Sequence, residues 1–596
     1  MELEKVLVID PVTNVEETYK TKEVVYKSNV NTSLYRYQAD SQSKSNVIFN
    51  NITPPSLNTI INRCLKIKYT LFVTVTNTAN QTPYANGILA NAVNGTGAVF
   101  DNIPVGQSII PAGDLFCNLT LSDSPLQNSS TAIELRINGS STSISPNDYI
   151  QLYSHMASKD DLNMFSTTYP HQKDSMCLYT SNDGVANHRS PFALFNTNPD
   201  LQSRASTSWT LQSSTVATGV DVYQVDVIED LYLSPSVWGE LAYKCAGYSN
   251  INNLTLNIRI QNLNRAVFCQ ANADHTYKAN ITAINVDFVN PTTGQVPSGR
   301  NAELELTYIT PDPVLSAKMP NVLAMDYDYI QSFTSNTTQT FNGAGEIQLV
   351  LQSVRLPSIP KRIYVYAKPS KATLLSAVQY NNTVPDFFLP LKNIQVTFNN
   401  RINLLANQIP QTLYNISVSN GLKDSYYEWQ YGGGSIMIID VAKDLGLEAD
   451  ETAGQSNKYS TLQIQATFTN SNLLWQGVAG SPLNNASAYD YYILVESPGK
   501  AFVTPSDCQF VLTGPSSAEV LALTSSMDKV VDHSDLDGKQ VGGGAFGIGK
   551  LFKSGLRMLK NVNPDQVASG VKAVQNAMGA MGMGVTGGAM KHKRVY

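Results

Sequence analysis

Residues 346–421 limit what this chain can become more than any other stretch. Ile347, Leu349 and Leu351 alternate with Gln348, Val350 and Gln352, and Ile394, Val396 and Phe398 alternate with Gln395, Thr397 and Asn399. An apolar period of two buries one face of a strand and leaves the other in solvent, so the stretch, through its end at TLYNISVSNG, reads as sheet. The same order occurs earlier. VIFNNITPPSLNTIINRCLKIKYTLFVTVT (47–76) repeats a strand, a Pro-Ser linker, a basic residue and a long alternating strand, with Pro55-Ser56 standing for Pro357-Ser358 and Arg63 for Arg362. A second echo, STAIELRINGSSTSIS (130–145), sets Ile133, Leu135 and Ile137 against Glu134 and Arg136, as KNIQVTFNN does. A third pairs TLNIRIQN (255–262) with TLQIQATF (461–468). Three echoes in one order predict two copies of one all-β domain.

The 596 residues leave room for about three or four average domains, or for two large β domains with extensions. With 42% apolar and 15% charged residues, the chain is globular rather than disordered. Cys64, Cys117, Cys177, Cys245, Cys269 and Cys508 are scattered without a C-x-x-C pair, which argues against a disulfide framework and a zinc knuckle. The start MELEKVLVID lacks the basic end of a secretory signal, and no apolar run reaches the ~18 residues of a membrane span. The expectation is synthesis in a reducing compartment, without a transmembrane segment.

Along the chain, residues 1–29 read as an N-terminal arm, and the first β domain is placed at 30–315. Its strands are expected at 65–76, 131–138, 222–233, 254–261, 280–289 and 302–309, separated by turn signals such as Asn138-Gly139. Residues 156–215, rich in Ser, Asn, Asp and Pro, are read as a long surface insertion with a role in contact. Three prolines and no sustained alternation over 310–330 predict a linker, drawn at 316–330, before a second β domain at 331–515. The tail, 516–596, differs from the body in charge. From position 541 its eight basic residues against Asp565 give +7, so with the whole chain at −6 the other 540 residues carry −13. Lys550, Lys553, Arg557 and Lys560 fall on one helical face and Ile548, Phe552, Leu556 and Leu559 on another, a basic amphipathic segment suited to an acidic surface, a lipid interface or phosphates.

Convergent catalytic groups are not evident. The six histidines lack metal-binding spacing. His171, Cys177 and His188 share one loop region but read as surface or packing residues, and Asp326-Tyr-Asp328 lacks a third ligand. No phosphate loop, nucleophile elbow or dinucleotide fingerprint is present, and neither a cofactor nor a metal is expected. Two readings besides a structural protein stay open on the residues alone: a β-sandwich carbohydrate-binding fibre or adhesin, and a β-sandwich glycoside hydrolase with carboxylates from separate strands.

The runs LQSVRLPSIPKRIYVYAKPSK, DFFLPLKNIQVTFNNRINLL, QTLYNISVSNGLKDSYYEW and DVAKDLGLEADETAGQSNKYSTLQIQATFTN together resemble the second half of double jelly-roll major capsid proteins from virophages and Polinton-like viruses. INRCLKIKYTLFVTVT and STAIELRINGSSTSISPNDYIQLYSHM resemble the first half, and the likeness spans most of 45–515. It implies two tandem eight-stranded jelly rolls, an N-terminal arm and a helical, Gly-rich basic tail. The implied function is that of a non-enzymatic capsid subunit, a homotrimer forming pseudo-hexameric capsomers of an icosahedral virion shell around DNA. Implied partners are penton or minor capsid proteins, and a viral cysteine protease that would cut the tail at Gly542, Gly543, Gly544 or at Gly587, Gly588. An uncut tail would instead turn Lys550, Lys553, Arg557 and Lys560 toward the genome from the inner surface.

Overall fold

A computed structural model of the chain describes residues 3–11, 19–27, 32–62, 65–77, 108–109, 119–122, 124–156, 209–215, 218–231, 233, 238, 247–269, 281–311, 322–334, 339–340, 345–370, 388–399, 401–432, 435–446, 459–469 and 488–512. Residues 1–524 form one compact unit and residues 525–596 a second. All described residues lie in the first unit.

Sixteen strands carry the architecture. In the first half they are β1 (Thr32–Gln38), β2 (Asn46–Ile52), β3 (Leu65–Asn77), β4 (Ser130–Ile137), β5 (Ser140–Ile144), β6 (Val220–Leu231), β7 (Leu254–Ile260) and β8 (Glu303–Ile309). In the second half they are β9 (Leu323–Thr334), β10 (Glu346–Leu356), β11 (Arg362–Pro369), β12 (Leu391–Phe398), β13 (Arg401–Leu404), β14 (Met437–Asp440), β15 (Ser460–Thr469) and β16 (Ala488–Val503). One sheet of the first half runs β1-β8-β3-β6, extended by Trp209–Thr215, and the other runs β5-β4-β7-β2. The second half repeats both orders with every strand number raised by eight: β9-β16-β11-β14 and β13-β12-β15-β10. Two four-stranded antiparallel sheets with these crossovers make a jelly roll, and the chain contains two.

The alternation seen in the sequence sets which face of each strand is inside. Ile347, Leu349 and Leu351 are buried while Gln348 and Val350 face out, and a register shift between Leu351 and Val354 brings Leu356 back into the core. Ile394, Val396 and Phe398 on β12 are buried against Ile464, Ala466 and Phe468 of β15. In the first roll Ile133, Leu135 and Ile137 of β4 share a core with Leu254, Leu256 and Ile258 of β7. The Asn138-Gly139 turn joins β4 to β5 with both residues at positive φ (45° and 97°), as a two-residue hairpin requires. Asn399 (φ 46°) occupies the same place between β12 and β13.

Three expectations change. The span read as a linker, 316–330, contributes β9: Leu323 and Tyr327 are buried, and the strand pairs with β16 over twelve residues, from Leu323↔Val503 to Thr334↔Tyr492. The prolines at 311, 313 and 320 all precede it. The end of the densest strand stretch, TLYNISVSNG, is helical: α2, Pro410–Ser419, buries Leu413 and Ser417 one turn apart. Its partner α1, Pro146–Met156, follows β5 as α2 follows β13, and was not foreseen. At the N-terminus, Leu3–Pro11 and Tyr19–Lys27 pair with each other antiparallel, so the arm contains a hairpin. Most of the insertion at 156–215 and all of the tail lie outside the described residues.

Candidate functional site

The two jelly rolls meet at α1, and this junction is built from buried polar groups of both. Ser145-Pro146 starts the helix: Pro occupies the first turn, where no N–H is needed, and Asp148 favours the positive N-terminal end. Tyr149, Ile150 and Leu152 face the first roll's core and are buried. The opposite stripe is polar yet equally enclosed, with Asn147 8%, Gln151 2% and His155 0% exposed. Burying such groups is costly unless they are hydrogen-bonded, and the second roll supplies bonds to Asn147 and His155. Lys368 on β11 donates from Nζ to the Asn147 carbonyl (2.8 Å) and to its Oδ1 (3.2 Å). The Tyr366 hydroxyl donates to the Asp148 carbonyl. His155 Nδ1 bonds the Asp424 carboxylate, with both side chains inaccessible to solvent, and the Lys423 amide donates to the His155 carbonyl at 3.0 Å.

Aromatic rings close the site. Phe388 meets the rings of His155 (5.3 Å) and Tyr366 (4.9 Å) edge-on, and Tyr366 stacks on Tyr492 at 5.3 Å. The Lys368 ammonium lies 5.0 Å from the Tyr492 ring centroid, where the ring face offsets part of its desolvation. A second tie comes from the first roll's hairpin turn, where Asn138 Nδ2 donates to the Thr504 carbonyl (2.6 Å) and to the Asn250 carbonyl (2.8 Å). The same asparagine accepts the Asn252 amide through Oδ1 (2.7 Å). A turn residue whose conformation is set locally thereby also joins the two halves.

Each roll also holds a buried glutamate–tyrosine pair of its own. Glu229 accepts from the Tyr69 hydroxyl (2.7 Å), the amides of Leu126 (2.9 Å) and Gln127 (3.2 Å), and Gln127 Nε2 (3.0 Å). Desolvation raises its pKa, against the pull of those donors, and raises the Tyr69 hydroxyl further. In the second roll Glu496 accepts from the Tyr364 hydroxyl. Burial, with the Asp328 charge adding to it, raises the Glu496 pKa, while Arg362 and Lys361 oppose the shift. Both carboxyls are enclosed and committed to hydrogen bonds inside their own roll, which is packing chemistry.

The residues singled out for other chemistry are not brought together. Asp326 lies on β9 opposite Lys500, and Asp328 binds the Lys361 ammonium at 3.1 Å. Among the described residues no group of three metal-ligating side chains occurs, and no helix is long and apolar enough to cross a membrane. His171, Cys177 and His188, the glycines Gly542, Gly543, Gly544, Gly587 and Gly588, and the basic set Lys550, Lys553, Arg557 and Lys560 lie outside the described residues. Sequence reading missed the junction itself. Its local signal was the Ser-Pro start of α1, but nothing in that helix marks its polar stripe as buried.

Two tandem jelly rolls of identical strand order define the double jelly-roll class of capsid subunits. Comparison with known proteins identifies the branch. A family model described as Sputnik virophage major capsid protein 1st domain matches residues 1–299, half of the chain, and one described as major capsid protein V20 C-terminal domain matches 328–479. The chain belongs to the Sputnik virophage major capsid protein family. It is 25% identical over 563 residues to the putative capsid protein V20 of Sputnik virophage, covering 90% of this chain and 84% of that protein. A chain of the Sputnik virophage cryo-EM structure superposes with a TM-score of 0.65 at 20% identity, over 89% of this chain and 97% of that one. The mavirus major capsid protein crystal structure gives 0.59 at 13% identity, over 86% and 94%. The chain is thus a virophage-type major capsid protein with the double jelly-roll fold.

Proposed function

We propose that this subunit works only by association: three copies form a pseudo-hexameric capsomer, and capsomers tile an icosahedral shell around a DNA genome. The observation that carries this reading is the duplication. Two rolls of the same strand order side by side give each chain two similar corners, and three chains give six, which lets a trimer occupy a hexagonal position. The buried carboxylates Glu229 and Glu496 are each consumed by hydrogen bonds within their own roll, which supports a scaffold rather than a hydrolase. Electron microscopy and native mass spectrometry of the purified chain test the proposal. Trimers and hexagonally packed sheets are expected, and a monomer at all concentrations, or turnover of a glycan, would overturn it.

Within the same reading the protein is made in the host cytoplasm and resides in the virion, beside penton and minor capsid proteins. Its tail has two fates. A viral cysteine protease removes it at Gly542-Gly543-Gly544 or Gly587-Gly588, or else Lys550, Lys553, Arg557 and Lys560 face the genome and neutralise phosphate. Mass spectrometry of particles separates the two: chains ending near these glycines support removal, and intact chains ending at Tyr596 support the genome contact.

A further inference from the structure

The two helices can be laid on each other residue by residue. Both begin with proline (Pro146 and Pro410), both follow the same hairpin in their roll, and both send the fourth residue, Tyr149 or Leu413, into their own core. The polar stripe then matches: Asn147, Gln151 and His155 of α1 correspond to Gln411, Asn415 and Ser419 of α2. In α1 the stripe is buried by the second roll, whereas in α2 all three residues are exposed. Beside them Val418 is 40% exposed, and Ile409, the residue before the helix, is 61% exposed. Large aliphatic side chains that open, next to a stripe whose twin is enclosed, describe half of an interface.

We infer that this face of α2 docks against the first jelly roll of a second copy of the chain, reproducing between subunits the contact that α1 makes within one. The inference rests on the trimeric reading above and names the surface that makes the trimer. One chain has two such helices but only one roll-to-roll junction, so one helix is always left over. The contact is head-to-tail, and a head-to-tail contact repeats from copy to copy until the ring closes. In a closed ring each α2 is covered by the next copy's first roll.

The test uses the full chain. Asn415→Arg and, separately, Val418→Glu place a charge on the exposed stripe. Each is expected to weaken trimer formation about a hundredfold, seen by analytical ultracentrifugation, while the melting temperature of the dissociated subunit stays unchanged. Hydrogen exchange of the unsubstituted protein gives a second readout, with the amides of 411–419 slowing at least ~10-fold on assembly. Trimers that form normally in both variants, or an exchange rate at 411–419 that does not change on assembly, would overturn the inference and leave the trimeric reading standing. A wild-type chain that never trimerises would overturn both.

Discussion

Helices α1 and α2 occupy the same slot in two copies of one fold, yet in one both the apolar and the polar stripe are enclosed and in the other only the apolar stripe is. Their polar residues are close in kind: an amide at the second position of each helix and another four residues later. What differs is the neighbour. The second roll brings Lys368, Tyr366 and Asp424 to α1, while among the described residues only Lys443, at 2.9 Å from the Ser419 hydroxyl, reaches the corresponding stripe of α2 from another element. A polar helix face therefore carries no fixed burial. It is solvent-facing or interfacial according to what the rest of the assembly places against it, and its hydrogen-bonding demand is met by water in one case and by protein in the other.

The largest effect should come from removing one partner of the enclosed contact. Asp424→Ala leaves His155 buried against Phe388 without its carboxylate partner and is expected to cost about 3–5 kcal/mol, read from denaturant unfolding of the dissociated subunit. Equal stability of the variant would mean that the junction does not hold the rolls together. A matched pair of variants sharpens the point. Gln151→Arg forces a charge into a closed site and should lower stability by about 3 kcal/mol or more, whereas Asn415→Arg at the corresponding exposed position should change the dissociated subunit by less than ~0.5 kcal/mol. Similar costs at the two positions would erase the contrast between the helices.

Acidity acts on both rolls through a different pair of groups. Glu229 and Glu496 have folded pKa values raised by burial, so the native state holds their protons more tightly than the unfolded chain. Their contribution to stability is full below the unfolded value of about 4.3 and is lost as pH rises through the raised folded value. Glu496→Gln should accordingly flatten the dependence of melting temperature on pH just above 4.3, and a slope identical to wild type would show that Glu496 does not titrate there. The smallest effect is expected at the surface. Arg36 and Glu305 pair at 2.7 Å on the β1–β8 edge with Arg36 57% exposed, and Glu305→Gln should cost no more than ~1 kcal/mol and less in high salt.

Most of the strand content was legible because period two is a local pattern: β3, β4, β6, β7, β8, β10 and β12 fall within a few residues of where alternation placed them. The errors have local causes too. Three prolines hid β9, whose burial depends on a twelve-residue partner far along the chain in β16. TLYNISVSNG is rich in the β-branched and polar residues that suit a strand equally well, and only the placement of Leu413 and Ser417 against the second roll's core makes it helical. The junction was illegible for a further reason, since Lys368, Asp424 and His155 come from segments more than 200 residues apart or from loops, and no spacing rule connects them.

By itself the sequence determined that this chain is all-β, that it contains one domain twice, and which side of most strands is apolar, since side-chain alternation and repeat order are written residue by residue. Only the tertiary structure decided that two polar helices in equivalent places have opposite fates. Burial of a hydrogen-bonding group is a property of what lies across from it, and that is settled when distant strands bring their partners together.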